Sequence, residues 1–271
     1  MENQALLNLL WKDYVRYTPS AEKIHNFLKR LGEENICNDH VAFRTFDHPK
    51  VNIDQIAKIF KLSGYEEKGE YHFEEKKLRA KHYEHRFQKD APKIFISELK
   101  LDYFSDWLKN VIYNCIDKIP HGIIESNSLV FSGRTWGTIS HNIYEKLRDE
   151  SEYCAWLYVY GFCANHFTID INKLRNIQDL NVFNDLLEEN GFKLNESGGK
   201  IKGDRESYLE QSSILADMQI IEFAEASFRV PSCYYEFAKR YPDASGNLYQ
   251  GFIAKSADKI FESTDLVLQM N

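Results

Sequence analysis

Residues 38–46 read NDHVAFRTF, and residues 164–172 read ANHFTIDIN. In each stretch the side chains alternate, the period of a strand whose two faces differ. In the first, His40, Ala42 and Arg44 share one face, while Val41, Phe43 and Thr45 share the other. Valine and phenylalanine belong to a core, so the histidine and arginine face something else. Each stretch is followed by a helix-like segment, NIDQIAKIFKLSGYEE or QDLNVFNDLLEENGFKL, in which the helix ends at glycine and then an aromatic. Gly64 lies 24 residues after His40, and Gly191 lies 25 after His166. Two independent landmarks at nearly one offset point to internal duplication, with coincidental strand-helix units as the plainer alternative.

Working outward, the first unit continues into the strand-like pieces LRAKHYEHRF and PKIFISELKL, and the second into KIKG, DMQIIEFAEASFRV and SCYYEFAKRY. The expected fold is therefore α+β, built of paired β-α-β-β-β modules in a single domain over residues 1–271. Residues 1–35 form N-terminal helices, 36–100 the first module, 101–160 a helical insert, and 161–271 the second module with a C-terminal segment. Within PSAEKIHNFLKRLG, Ser20 is expected as the helix N-cap and Gly32 as its stop. The insert matches neither module, and no role for it is legible in its residues.

Composition narrows the class. A hydrophobic share of 43%, an aromatic share of 14% and only six prolines describe a chain that folds. With a net charge of -7 and a pI near 5.8, lysines and arginines are interleaved with acids, so nucleic acid is not an expected partner. The opening MENQALLNLLWKDYVRY lacks the features of a secretory signal, and no apolar run reaches ~18 residues, so no membrane association and a cytoplasmic location are expected. Five scattered cysteines (37, 115, 154, 163 and 233) form no CxxC pair and are read as reduced and mostly buried.

A single histidine on a strand is more often a satisfied polar residue than a ligand. Two at one repeat position, on half-sheets that would face each other, shift that balance toward a metal site, because imidazole plus carboxylate suits iron, manganese and zinc. Glu236 is the candidate carboxylate, alone among Cys233, Tyr234, Tyr235 and Phe237, although an ion pair with Arg240 would also account for it. Glu98, in IFISELKL, is a possible fourth ligand or a vestige of the duplication, and Glu222 and Glu225 are weaker competitors. The remaining histidines, His82 and His85 included, read as surface or structural. Arg44, on the His40 face and with its Cα ~13 Å away at ~3.3 Å per residue, could clamp a substrate carboxylate. A strand arginine paired with a surface acid is the alternative.

NDHVAFRTF, NHFTIDIN, YYEFAKRYP and GNLYQGFIAKSADKIFESTD together resemble the 2-oxoadipate dioxygenase/decarboxylase family of the vicinal oxygen chelate superfamily, over about residues 5 to 265. The resemblance implies a half-open barrel of that superfamily's type, with iron(II) on His40, His166 and Glu236 and a substrate arginine at Arg44. It also suggests Ser256 as a pocket-lining residue. Zinc, nickel or manganese could replace iron in purified protein. The implied partners are a 2-oxo acid and O2, and the implied reaction turns 2-oxoadipate into 2-hydroxyglutarate and CO2, a step of lysine breakdown. The chain is shorter than the bacterial members of that pathway, and YYEFAKR with SADKIFEST looks more like the plant form, which leaves the substrate open. A glyoxalase-like isomerase or hydrolase using Glu98 as a fourth ligand and a non-catalytic small-molecule-binding protein are the alternatives.

Overall fold

The structure, a computed structural model, describes residues 2–253, 259, 260 and 262–264. Two helices, α1 (Asn3–Tyr17) and α2 (Pro19–Arg30), precede the first module. That module runs β1 (Asn38–Phe46), α3 (Ile53–Leu62), β2 (Tyr65–Phe73), β3 (Leu78–His85) and β4 (Lys93–Leu99). The insert contributes α4 (Asp106–Asp117), α5 (His121–Glu125), α6 (His141–Glu150) and α7 (Glu152–Tyr160). The second module is β5 (Ala164–Asp170), α8 (Leu180–Glu189), β6 (Lys202–Asp204), β7 (Leu209–Ser213) and β10 (Tyr234–Arg240), interrupted by β8 (Met218–Glu222) and β9 (Ser227–Pro231).

One sheet holds both modules in the order β2-β3-β4-β1-β5-β10-β7-β6, curled into a half-barrel. The order of the first half is mirrored in the second. β1 and β5 meet in the middle as an antiparallel pair, each flanked by a parallel strand of its own module, β4 and β10. The landmarks of the repeat hold: Asn52 and Asp179 cap the two module helices, and both helices are followed by a glycine with φ of 105° (Gly64) or 83° (Gly191). Only glycine adopts that left-handed backbone without strain.

Two local expectations change. Ser20 lies inside the first turn of α2 rather than at its cap. Its backbone N–H and hydroxyl both donate to the Asp217 carboxylate, which supplies the capping oxygen from a distance in sequence. DMQIIEFAEASFRV is a separate hairpin, β8 with β9, and the strand beside β10 is instead LEQSS, which has too short a pattern to read as a strand.

Helices cover the convex face of the sheet. Phe167 of β5 packs at 5.1 Å on Trp11 and 4.9 Å on Tyr14 of α1; Phe43 of β1 meets Phe60 of α3; and Phe237 of β10 meets Phe183 of α8. Each such fully buried side chain stabilises the layer by about 1.5–3 kcal/mol. No described helix is long and apolar enough to cross a membrane, and all five cysteines are free thiols, four of them buried.

Candidate metal centre

The concave face of the central strands carries the polar residues. Glu236, Thr168 and His40 lie in register across β10, β5 and β1; Tyr234, His166 and Ala42 form the next rung; Arg44 is the following same-face position on β1. His40 and His166, far apart in sequence, become neighbours because their strands pair.

Their Nε2 atoms are 3.4 Å apart. Glu236 completes the set, with Oε1 3.6 Å from His40 Nε2 and Oε2 3.2 Å from His166 Nε2. Donors ~2.1 Å from one shared ion at right angles would be ~3 Å apart. Among the described residues this is the group of histidine, cysteine and acidic side chains whose ligand atoms converge, all within 4.8 Å and all buried.

The other nitrogen of each ring is held by the residue just before it. His40 Nδ1 donates to Asp39 Oδ1 at 2.8 Å, and His166 Nδ1 donates to Asn165 Oδ1 at 3.1 Å. A strict strand would send neighbouring side chains to opposite faces. Here the β1–β5 ladder shifts register twice, leaving Asp39 and Asn165 as the extra residues of two bulges, and each bulge turns its partner toward the histidine. With Nδ1 protonated, both Nε2 lone pairs point at the shared centre. Burial would raise the Asp39 carboxyl, but Arg240 and Lys93 hold it well below the usual range. Arg240 reaches it through Nε at 2.6 Å and Nη2 at 2.9 Å, so Arg240 pairs with Asp39 and not with Glu236.

These electrostatics suit a cation. Burial lowers the His40 pKa, and burial together with His40 and Arg44 lowers that of His166 well below its ordinary value, so both imidazoles stay neutral. Burial pushes the Glu236 carboxyl up to about 8, against the hydrogen bond that Gln211 Nε2 donates to Oε1. Glu236 Oε2 accepts no hydrogen bond from the described residues. A buried carboxyl that is costly to ionise without a counter-charge, short of donors and aimed at two imidazole lone pairs, fits a divalent metal, and these three residues fit as its ligands.

Arg44 is buried at 1% exposure and lies between aromatic rings, 4.9 Å from the centroid of Tyr153 and 5.1 Å from that of Trp156. Its Nη2 donates to Thr264 Oγ1 at 3.0 Å, and Nη1 is 3.5 Å from Glu152 Oε1. Glu152, Tyr153 and Trp156 belong to α7, so framing this arginine is the part the insert plays. The helix is buried nearly all round, as its run EYCAWLYVY would suggest, but nothing in that run points to Arg44. Phe252 packs edge-on to His40 at 4.9 Å and covers the metal corner, while Arg240 Nη1 holds the carbonyls of Tyr249 and Gly251 just before it.

The other acids go elsewhere. Glu98 is beside Thr45 on the convex face, where it pairs with Arg79 at 2.8 Å and accepts from the Ile53 N–H at the start of α3. It is no fourth ligand, and Phe95 holds the position on β4 that Glu236 holds on β10. Glu225 accepts from the Ser140 hydroxyl and the His141 N–H at the start of α6, and Glu222 is exposed at the end of β8. His82 faces the concave side but bonds to Tyr71 and Glu84, and His85 bonds to the Ser63 carbonyl. Ser256 lies outside the described residues.

A curled sheet of paired modules with a metal-ready corner is an architecture of glyoxalase type. The molecule superposes with a TM-score of 0.78 on a glyoxalase-superfamily protein from Ralstonia eutropha that is 19% identical, covering 92% of this chain and 85% of that one, a likeness of fold. Sequence carries the relationship further. A family model described as 2-oxoadipate dioxygenase/decarboxylase matches residues 5–121 and 123–246. The chain is 34% identical to the chloroplastic/amyloplastic 2-oxoadipate dioxygenase/decarboxylase of Oryza sativa subsp. japonica, over 96% of this chain and 78% of that one. The crystal structure of the Oryza sativa hydroxyglutarate synthase in complex with 2-oxoadipate superposes with a TM-score of 0.91 at 32% identity, covering 98% of this chain and 93% of that one. A Shewanella frigidimarina protein provisionally called a hydrolase has a TM-score of 0.88 at 44% identity, covering 93% and 98%. The chain belongs to the 2-oxoadipate dioxygenase/decarboxylase family and is an enzyme.

Proposed function

We propose that this protein holds iron(II) on His40, His166 and Glu236 and converts 2-oxoadipate and O2 into 2-hydroxyglutarate and CO2, a step of lysine breakdown. The observation that carries the reading is the convergence of those three buried donors. Family membership and the 2-oxoadipate bound to the rice relative support the substrate. The reaction balances without a cosubstrate: the six-carbon 2-oxo diacid and O2 have the same atoms as the five-carbon hydroxy diacid and CO2. Iron(II) in a three-ligand site would supply open positions for a chelating 2-oxo acid and the electrons that activate O2.

The chain's own residues do the rest. Asp39 and Asn165 fix the Nδ1 protons and so the direction of both Nε2 lone pairs, and Gln211 holds one oxygen of Glu236. Phe252 and Phe95, packed at 4.8 Å, exclude water from the corner. Arg44, held against the Tyr153 and Trp156 rings, offers its guanidinium to the far carboxylate of a diacid whose oxo acid end lies at the metal corner. A cleft whose lining balances Lys76, Lys77 and Arg148 against Glu75, Glu150 and Glu152 opens beside Tyr153.

The test is anaerobic reconstitution with iron(II), addition of 2-oxoadipate and O2, and measurement of O2 uptake, CO2 and 2-hydroxyglutarate. Equal amounts of all three are expected. Iron-loaded protein that consumes no O2 with 2-oxoadipate refutes the substrate. Arg44→Ala should keep the metal and raise the KM for 2-oxoadipate by about 100-fold, the loss of a charge-assisted pair worth a few kcal/mol.

A further inference from the structure

The Tyr234 side chain is fully buried, and its hydroxyl has no hydrogen-bond partner among the described residues. An unmade hydrogen bond of this kind is costly, so a buried hydroxyl without a partner calls for an explanation. Its position supplies one. Tyr234 is in register with His166 on β5, which is in register with Ala42 on β1, one same-face step from Arg44. The phenol ring stacks on His166 with centroids 4.6 Å apart and planes at 28°. Its hydroxyl is in the field of Glu236 at the metal corner and of Arg44 and Glu152 at the other end of the site.

We infer that Tyr234 is a substrate-binding residue whose hydroxyl donates a hydrogen bond to the distal carboxylate of the bound 2-oxo diacid, beside Arg44. This rests on the function proposed above. The chemistry is that of a neutral donor set next to a guanidinium: the arginine supplies charge, and the phenol supplies a direction that a second oxygen of the carboxylate can meet. Burial keeps the phenol protonated throughout the physiological range. A 2-oxo acid that ends in a methyl group has nothing to offer this hydroxyl, so Tyr234 contributes to selection of a diacid.

Tyr234→Phe removes only the hydroxyl. The experiment loads wild type and variant with manganese(II) under argon, titrates each by calorimetry with 2-oxoadipate and with 2-oxohexanoate, and records the Tm of each without ligand. The variant should bind 2-oxoadipate about tenfold more weakly, bind 2-oxohexanoate unchanged, and have a ligand-free Tm equal to or above that of wild type, because the hydroxyl has no partner to lose. Equal affinity of the two proteins for 2-oxoadipate overturns the inference, and equal loss for both acids overturns the placement at the distal carboxylate. A lowered ligand-free Tm also counts against it, since that is the mark of a hydroxyl serving the fold. If manganese-loaded wild type binds neither acid, the functional reading falls and the inference with it.

Discussion

Tyr234 and Tyr235 are consecutive on one strand and equally buried, yet their hydroxyls meet different worlds. Tyr235 faces the helices, where its oxygen is 2.6 Å from His25 Nε2 and its ring lies near Trp11. Tyr234 faces the concave side and has no partner for its hydroxyl among the described residues. The same contrast runs along the sheet. On the convex side, Glu98 and Tyr235 are matched within the chain and stabilise the fold, while the buried Tyr83 hydroxyl is an exception without a partner among the described residues. On the concave side, Glu236 Oε2, Gln211 Oε1 and the Tyr234 hydroxyl are buried without hydrogen bonds to described residues, an arrangement that costs stability and that the proposed metal and substrate would complete. Stability and function are thus separated by side-chain parity on shared strands, and substitutions can test the separation.

The largest effect belongs to the concave donors. His40→Ala, His166→Ala or Glu236→Ala should each reduce metal content below about a tenth of an equivalent by elemental analysis, with the fold intact by circular dichroism. Full metal content in Glu236→Ala would break the donor set. Next come the bulge residues. Asp39→Asn should weaken metal binding by about 10- to 100-fold in a chelator competition and, by leaving Arg240 short of a buried partner, lower unfolding stability by about 3 kcal/mol or more. Asn165→Ala should cost about tenfold in metal affinity with a much smaller loss of stability, since no buried charge loses its partner.

Glu98→Gln sharpens the contrast from the other side: denaturant unfolding should show a loss of about 1–3 kcal/mol while metal content stays at wild type. Loss of the metal would return Glu98 to the site. The last test is set by pH. Burial holds the His25 pKa down to about 4 from its ordinary 6.5, so the unfolded chain takes up this proton first as pH falls. Its contribution is complete above pH 6.5 and declines from there toward pH 4. His25→Gln should flatten that part of the urea-midpoint profile, and an unchanged slope would show that other groups produce it.

Much of the site was legible because strand parity is local. His40 and Arg44 share parity, as do Tyr234 and Glu236, and duplication paired His40 with His166. Parity also argues against Glu98, which is in phase with the core residues Ile94 and Ile96. Other partners carried no usable signal. Gln211 belongs to a strand too short to recognise, and α7 reads as a buried helix without indicating which strand residue it touches.

The sequence by itself determined the residue types, the repeat and, through the period of two, the face each strand residue takes. Only tertiary structure decided that β1 and β5 are neighbours, that their register slips at Asp39 and at Asn165, that Arg240 backs Asp39 from 201 residues away, and that α7 encloses Arg44. The physical reason is that alternation follows from the geometry of one strand. Pairing, bulges and buried ion pairs depend instead on contacts between distant segments, which form only when the whole sheet closes around a common core.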